Sequence, residues 1–231
     1  MIGYLGLARE TFDVSFAESK FKQGKKALLS ASSKTSGINY LVTNDQLSKN
    51  AFEFFGKKNF SKIIIFQTTF TDAQFILNFS KTINKPICIV AFPESRTGKR
   101  LRLNSVCGLN LGMHSLIKNN IYPDFIIFDT LLNLKKKIRS FILKDNTRNQ
   151  LNKWKQLDGK KIKKKIFIKQ QTIGLIGNRP EGFDTCDYSA SEIKNKLNFN
   201  IKKIVLKDLF NQSKKTDQKL IAETRKKIDQ D

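Results

Sequence analysis

The first half of the chain alternates short apolar runs with longer amphipathic stretches. The runs are Ile2–Leu7, Ile38–Thr43, Lys62–Gln67, Pro86–Ala91 and Asp124–Phe128. The second to fifth are near-continuous in apolar residues, as in Ile63-Ile64-Ile65-Phe66. That is the pattern of strands buried on both faces, which is the condition of a parallel sheet. Between them the apolar positions fall three and four apart. Val14, Ala17, Phe21, Gly24, Leu28 and Ala31 make one helical face; Val106, Leu109, Met113, Leu116 and Ile117 make another. Asp45 and Thr71 are expected as N-caps, because their side-chain oxygens can accept from free helix N–H groups. Strand and helix in alternation imply right-handed βαβ crossovers. The expected fold class is therefore α/β, a doubly wound, Rossmann-like parallel sheet, with five units pointing to the flavodoxin-like arrangement.

The pattern then changes. A basic mixed helix is expected over about Leu131–Trp154, followed by a polar, lysine-dense passage. A new unit begins with a strand over Thr172–Gly177. Next come a helix over Ser189–Leu197 with a Ser189/Glu192 capping box, a strand over Ile201–Leu206 and a helix over Thr216–Ile228. The expected organisation is an N-terminal α/β domain over 1–157, a basic linker over 158–170 and the start of a second α/β domain over 171–231. The last helix carries an apolar face, Leu220, Ile221, Thr224 and Ile228, that needs a sheet to cover. Two strands and two helices rarely bury enough apolar surface to stand alone. The second domain is thus expected either to be completed by a partner chain or to be loosely ordered.

Charge and composition narrow the function. Lys and Arg number 43 against 20 Asp and Glu, a net charge of +23 that first suggests a nucleic-acid partner. Lysine, however, is spread along the chain beside abundant Asn, Ile and Phe, as broad compositional drift produces, and no nucleic-acid-binding motif is present. Nucleic acid is set below the other readings. The 19 Phe argue for a packed core. No apolar run approaches the ~18 residues of a membrane span, and the N-terminus has no signal-peptide pattern, so a cytoplasmic location is expected. The three Cys (88, 107 and 186) form no CxxC pair, and a single histidine, His114, excludes a multi-histidine metal site.

In an open parallel sheet, ligands bind beyond the carboxyl ends of the strands. Polar residues collect there: Arg9, Glu10 and Thr11 after the first strand, 67–72 after the third, 92–104 after the fourth and 178–188 in the second unit. The fourth-strand loop is rich in Arg and Lys, a set that suits anions or hydroxyl-rich ligands if its charges are not paired with Glu94. No glycine-rich phosphate fingerprint, P-loop or nucleophile elbow is present. His114 reads as structural, and Asp184 with Asp187 as either a carboxylate pair or turn residues.

Two long motifs carry a family likeness. The first is Gln67-Thr68-Thr69-Phe70-Thr71-Asp72-Ala73, continuing at Ala91-Phe92-Pro93-Glu94-Ser95-Arg96-Thr97-Gly98-Lys99-Arg100-Leu101-Arg102-Leu103-Asn104-Ser105-Val106-Cys107-Gly108. The second is Gly174-Leu175-Ile176-Gly177-Asn178-Arg179-Pro180-Glu181-Gly182-Phe183-Asp184-Thr185-Cys186. With the intervening sequence they resemble the N-terminal portion of the L-fucose/L-arabinose isomerase family, in its L-fucose isomerase-like branch. The resemblance implies aldose–ketose isomerisation through an enediol, with a divalent metal, typically manganese, stabilising the developing charge. It places the metal ligands in a later part of a longer chain, so no catalytic or metal-binding residue is expected here. It also implies a homo-oligomer in which this portion helps close a neighbouring subunit's site. Arg9 and Phe70 are then the first candidates for sugar contacts, Arg9 as a hydroxyl donor and Phe70 as an apolar platform. Arg179 and Asp184 come next. The alternative is a non-catalytic sugar-binding or assembly module on the same sheet edge.

Overall fold

Strands β1 (Ile2–Leu7), β3 (Lys62–Gln67) and β4 (Ile87–Ala91) are buried at every position, as their apolar runs require. A computed structural model of the chain describes residues 1–94, 100–144 and 170–229. With β2 (Thr35–Val42) and β5 (Asp124–Ile127), these strands form a five-stranded, all-parallel sheet in the order β2-β1-β3-β4-β5. That is the flavodoxin-like order, with its topological switch between β1 and β3.

Alternate side chains of the central strands feed two cores. On one face Leu5, Ile63, Ile65 and Ile89 pack against Phe55 of α2 (Asp45–Gly56), Phe79 of α3 (Gln74–Ile83) and Leu116 of α4 (Ser105–Lys118). On the other, Ile64, Phe66 and Val90 pack against Phe21 and Leu28 of α1 (Val14–Ala31) and Ile138 of α5 (Leu131–Leu143). The phenylalanines fill this space edge-on, Phe55 and Phe79 meeting at 5.0 Å and 86°. Each is worth roughly 2–3 kcal/mol of burial. Cys88 lies wholly inside, and burial pushes its thiol pKa well up, leaving it an inert core residue.

Several element ends differ from expectation. β2 begins at Thr35 rather than Ile38, because as an edge strand it exposes Asn39 and Tyr40 and carries a weaker apolar signal. The cap of α2 is Asn44, whose side chain accepts from the Leu47 N–H, and Asp45 is the first helical residue. α3 is preceded by Ala73 with no side-chain cap, so Thr71 does not cap it. The expected extension of α5 to Trp154 and the passage over 158–169 lie outside the described residues.

Residues 1–158 with 181–185 form one compact unit, and 159–180 with 186–231 form another. In the second, β6 (Gln171–Ile176) and β7 (Phe199–Ile204) pair in parallel across α6 (Ala190–Leu197). Ser189 caps α6 by accepting from the Glu192 N–H, while the Glu192 carboxylate pairs with Lys196 instead of completing a capping box. An unexpected helix, α7 (Leu206–Lys214), precedes α8 (Gln218–Ile228). Leu206, Leu209 and Phe210 have helical spacing, so Leu206 opens this helix rather than ending a strand. No described residue of this unit is buried; Ile173, Phe210, Leu220, Ile221 and Ile228 are all exposed. No described helix is long and apolar enough to cross a membrane.

One buried cation holds α5 to the sheet. The Lys62 ammonium donates to the carbonyls of Phe141 (2.7 Å), Ile142 (2.9 Å) and Lys144, which lie at the helix's negative end. Lys62→Met would leave these acceptors without that donor. Urea unfolding of the full chain should show a loss of about 1–3 kcal/mol, with hydrogen exchange fastest in 138–144; unchanged stability would remove Lys62 from this role.

Candidate functional site

The carboxyl edge of the sheet is organised by residues 67–72. The Thr68 amide and hydroxyl both donate to the Leu7 carbonyl, at 2.9 and 2.6 Å. The Arg9 amide donates to the Thr69 hydroxyl oxygen at 2.8 Å. The Gln67 side-chain amide donates to the Thr69 carbonyl and the Thr71 hydroxyl at 2.7 and 2.9 Å. Ser105, at the start of α4, donates to the Gln67 carbonyl and accepts from the Phe92 amide. Gly108 lets α4 approach this loop: a Cβ there would lie 3.1 Å from the Thr69 carbonyl oxygen and from the Phe70 Cα. Gln67, Thr68 and Thr69 are buried, and none of their buried side-chain nitrogens or oxygens lacks a partner.

This bracket fixes Arg9 at the mouth of a cleft of about 340 Å³. The cleft opens between the ends of β1 and β2 and the first turns of α2 and α3. Its polar wall includes Thr43, Asn44, Asp72, Gln74 and Asn78, and Phe52 and Phe75 supply apolar surface. The Arg9 guanidinium has no hydrogen-bond or ion-pair partner among the described residues. The adjacent Glu10 carboxylate accepts from the Thr43 hydroxyl at 3.2 Å. Donors, acceptors and flat apolar surface in one concavity suit a small polyhydroxylated ligand. The end of β2 contributes Thr43 and Asn44, which the sequence reading passed over; the strand-end rule applied to β2 would have found them.

The other candidates are not among the residues that line the cleft. Phe70 is half-buried in a row of rings beside the cleft, 6.2 Å from Phe12 and 5.6 Å from Phe183. Asp184 follows Phe183 and begins a 3-10 turn over Asp184–Cys186. Arg179 lies in the second unit, where its Nε pairs with Asp187 at 2.7 Å. In the fourth-strand loop, Arg96 and Lys99 lie outside the described residues. Glu94 accepts from the backbone amides of Arg102, Leu103 and Asn104 at 2.7–2.9 Å, so its carboxylate organises the described part of the loop.

The chain is similar to sulfoquinovose isomerases. It is 23% identical to those of Priestia megaterium and Priestia aryabhattai over 224 residues, covering 96% of this chain and 47% of each relative. The sulfoquinovose isomerase of Alkalicoccus urumqiensis is 23% identical over 213 residues, 91% of this chain and 44% of its own length. The chain thus spans about half the length of the curated relatives it matches. No family model matches the sequence. Among the described residues no group of three or more His, Cys, Asp or Glu side chains converges as a metal site needs.

Gly182 couples the second motif to the cleft wall within the first unit. Its carbonyl accepts from the Ala73 amide at the start of α3 (3.2 Å), its φ is +77°, and a Cβ would lie 2.9 Å from the Asp72 Cβ. Only glycine takes that conformation without strain. Gly182→Ala should cost about 1–3 kcal/mol in strain and speed hydrogen exchange at Ala73. Unchanged exchange would show that this contact does not order the wall.

Proposed function

We propose that this chain is the N-terminal, sugar-contacting part of an aldose–ketose isomerase of carbohydrate metabolism, of the L-fucose isomerase-like kind its motifs resemble. The observation that carries the reading is similarity running through nearly the whole chain to three sulfoquinovose isomerases. The cleft supports it with the polar and apolar groups that a sugar's hydroxyls and C–H faces require. In this reading Arg9 donates to sugar hydroxyls, and Phe70 and its neighbouring rings form an apolar wall; Arg179 and Asp184 are the further candidates that the second motif offers.

The substrate class is an aldose related to sulfoquinovose or a 6-deoxyhexose. A divalent metal, manganese by the resemblance, would stabilise the charge that develops on the sugar oxygens. Its ligands are assigned to polypeptide outside the described residues, either a C-terminal half or a neighbouring subunit of a homo-oligomer. The exposed apolar side chains of α7 and α8 support a further packing partner, since a two-stranded parallel sheet needs more polypeptide to bury both faces.

The cleft itself is testable on this chain. Titration with sulfoquinovose, L-fucose and L-arabinose, followed by NMR, should move the amides of Thr43, Asn44 and Gln74 in a saturable way. Arg9→Ala should weaken that binding about tenfold, the loss of one charged hydrogen-bond donor. Sugar-induced shifts confined to other regions, or unchanged affinity in Arg9→Ala, would contradict the assignment.

A further inference from the structure

A second hollow, of about 300 Å³, opens on the α1 side of the same sheet edge, with Phe16, Lys20, Glu94, Arg100 and Arg102 among its walls. Two carboxylates beside it, Asp13 and Glu94, offset part of its charge, and both are held by hydrogen bonds. Both Glu94 oxygens accept backbone amides, one from Arg102 and the other from Leu103 and Asn104. Asp13 caps α1 by accepting from the Phe16 N–H at 2.9 Å, and its other oxygen takes the Arg102 fork at 2.9 and 2.7 Å. The Phe16 amide and then the Arg102 side chain hold the Asp13 carboxyl below its usual pKa, so it stays ionised and keeps Arg102 in place.

Lys20 and Arg100 are differently placed. The half-buried Lys20 ammonium lies 5.0 Å from the Phe16 ring centre and 5.7 Å from that of Phe128, with no carboxylate partner among the described residues. Arg100 sits over Phe12 at 5.7 Å, and its one hydrogen bond among the described residues is to the Thr11 carbonyl, at 3.2 Å. Arg102 lies 4.0 Å over Phe16. Three cations are thus gathered around aromatic surface, which restrains their side chains and keeps water off one side. Lys20, Arg100 and Arg102 outnumber the two carboxylates, Asp13 and Glu94, so among the described residues the hollow keeps a small positive excess.

We propose that this hollow binds a tetrahedral oxyanion, the head group of a phosphate ester or a sulfonate. Lys20 and Arg100 are its principal donors, and Arg102, oriented by Asp13, is the third. Guanidinium forks and an ammonium match the geometry and charge of such a group. The site lies apart from the polyol cleft and stands whether or not the chain serves an isomerase.

The test titrates the full chain with inorganic phosphate and with methanesulfonate at constant low ionic strength, read by NMR. Single-site saturation should move the amides of Phe16, Lys20 and Arg102, and the tighter of the two anions identifies the head group. Lys20→Met and Arg100→Met should each weaken binding about tenfold. Arg100→Lys should recover part of the loss, because it keeps the charge without the fork. Lys207→Met, on α7 of the other unit, should change nothing; melting curves check that each variant is folded. Non-saturating shifts, or equal losses in Lys20→Met and Lys207→Met, would reduce the effect to the chain's overall charge and overturn the proposal.

Discussion

Two threonines at the end of β3 anchor the carboxyl edge of the sheet. Thr68 donates twice to the Leu7 carbonyl, and Thr69 accepts the Arg9 amide. These bonds join the ends of β1 and β3 at the point where the sheet's connections reverse direction, the place where an open α/β sheet leaves a crevice. The groups are buried, so each bond would be costly to leave unmade. Gln67 and Ser105 extend the same network to α4, and the close approach at Gly108 leaves no room for a side chain. Arg9 therefore stands on a well-bonded mount, and the adjoining rings of Phe12 and Phe70 are carried by the same loops, with Phe183 packed on Phe70.

Much of the sheet was legible because burial on both faces leaves an unmistakable trace. Ile63-Ile64-Ile65-Phe66 cannot be read as a half-exposed strand, and the regular alternation with helices implied the parallel order. The misses lie where local chemistry competes. Asn44 rather than Asp45 caps α2, since adjacent polar residues offer equally good acceptors and the backbone chooses between them. α7 was missed because Leu206 fits equally the end of an apolar strand and the start of a helical face. Arg9, placed by its position after the first strand, lines the cleft, and so do Thr43 and Asn44, which follow an edge strand of weaker apolar signal. The loop role of Glu94 depends on three backbone amides brought round by chain folding, and no spacing rule announces that.

The two units divide the account. The first has a complete double-sided core and a formed edge with two chemically distinct hollows, one of mixed polarity and one basic. The second has a regular parallel strand pair but no buried residue, and its apolar side chains face outward on α7 and α8. Such a surface is the signature of a packing partner. The sulfoquinovose isomerases that it matches are about twice as long as this chain, and among the described residues no His, Cys, Asp and Glu side chains converge as a metal site needs.

The central claim is that this chain binds sugar for a reaction whose metal and proton-transfer groups lie in other polypeptide. The most direct test measures aldose–ketose interconversion with manganese, using sulfoquinovose and a panel of pentoses and 6-deoxyhexoses. The full chain is assayed alone and together with the polypeptide encoded immediately downstream. The account predicts turnover only with both present; turnover by this chain alone would contradict it.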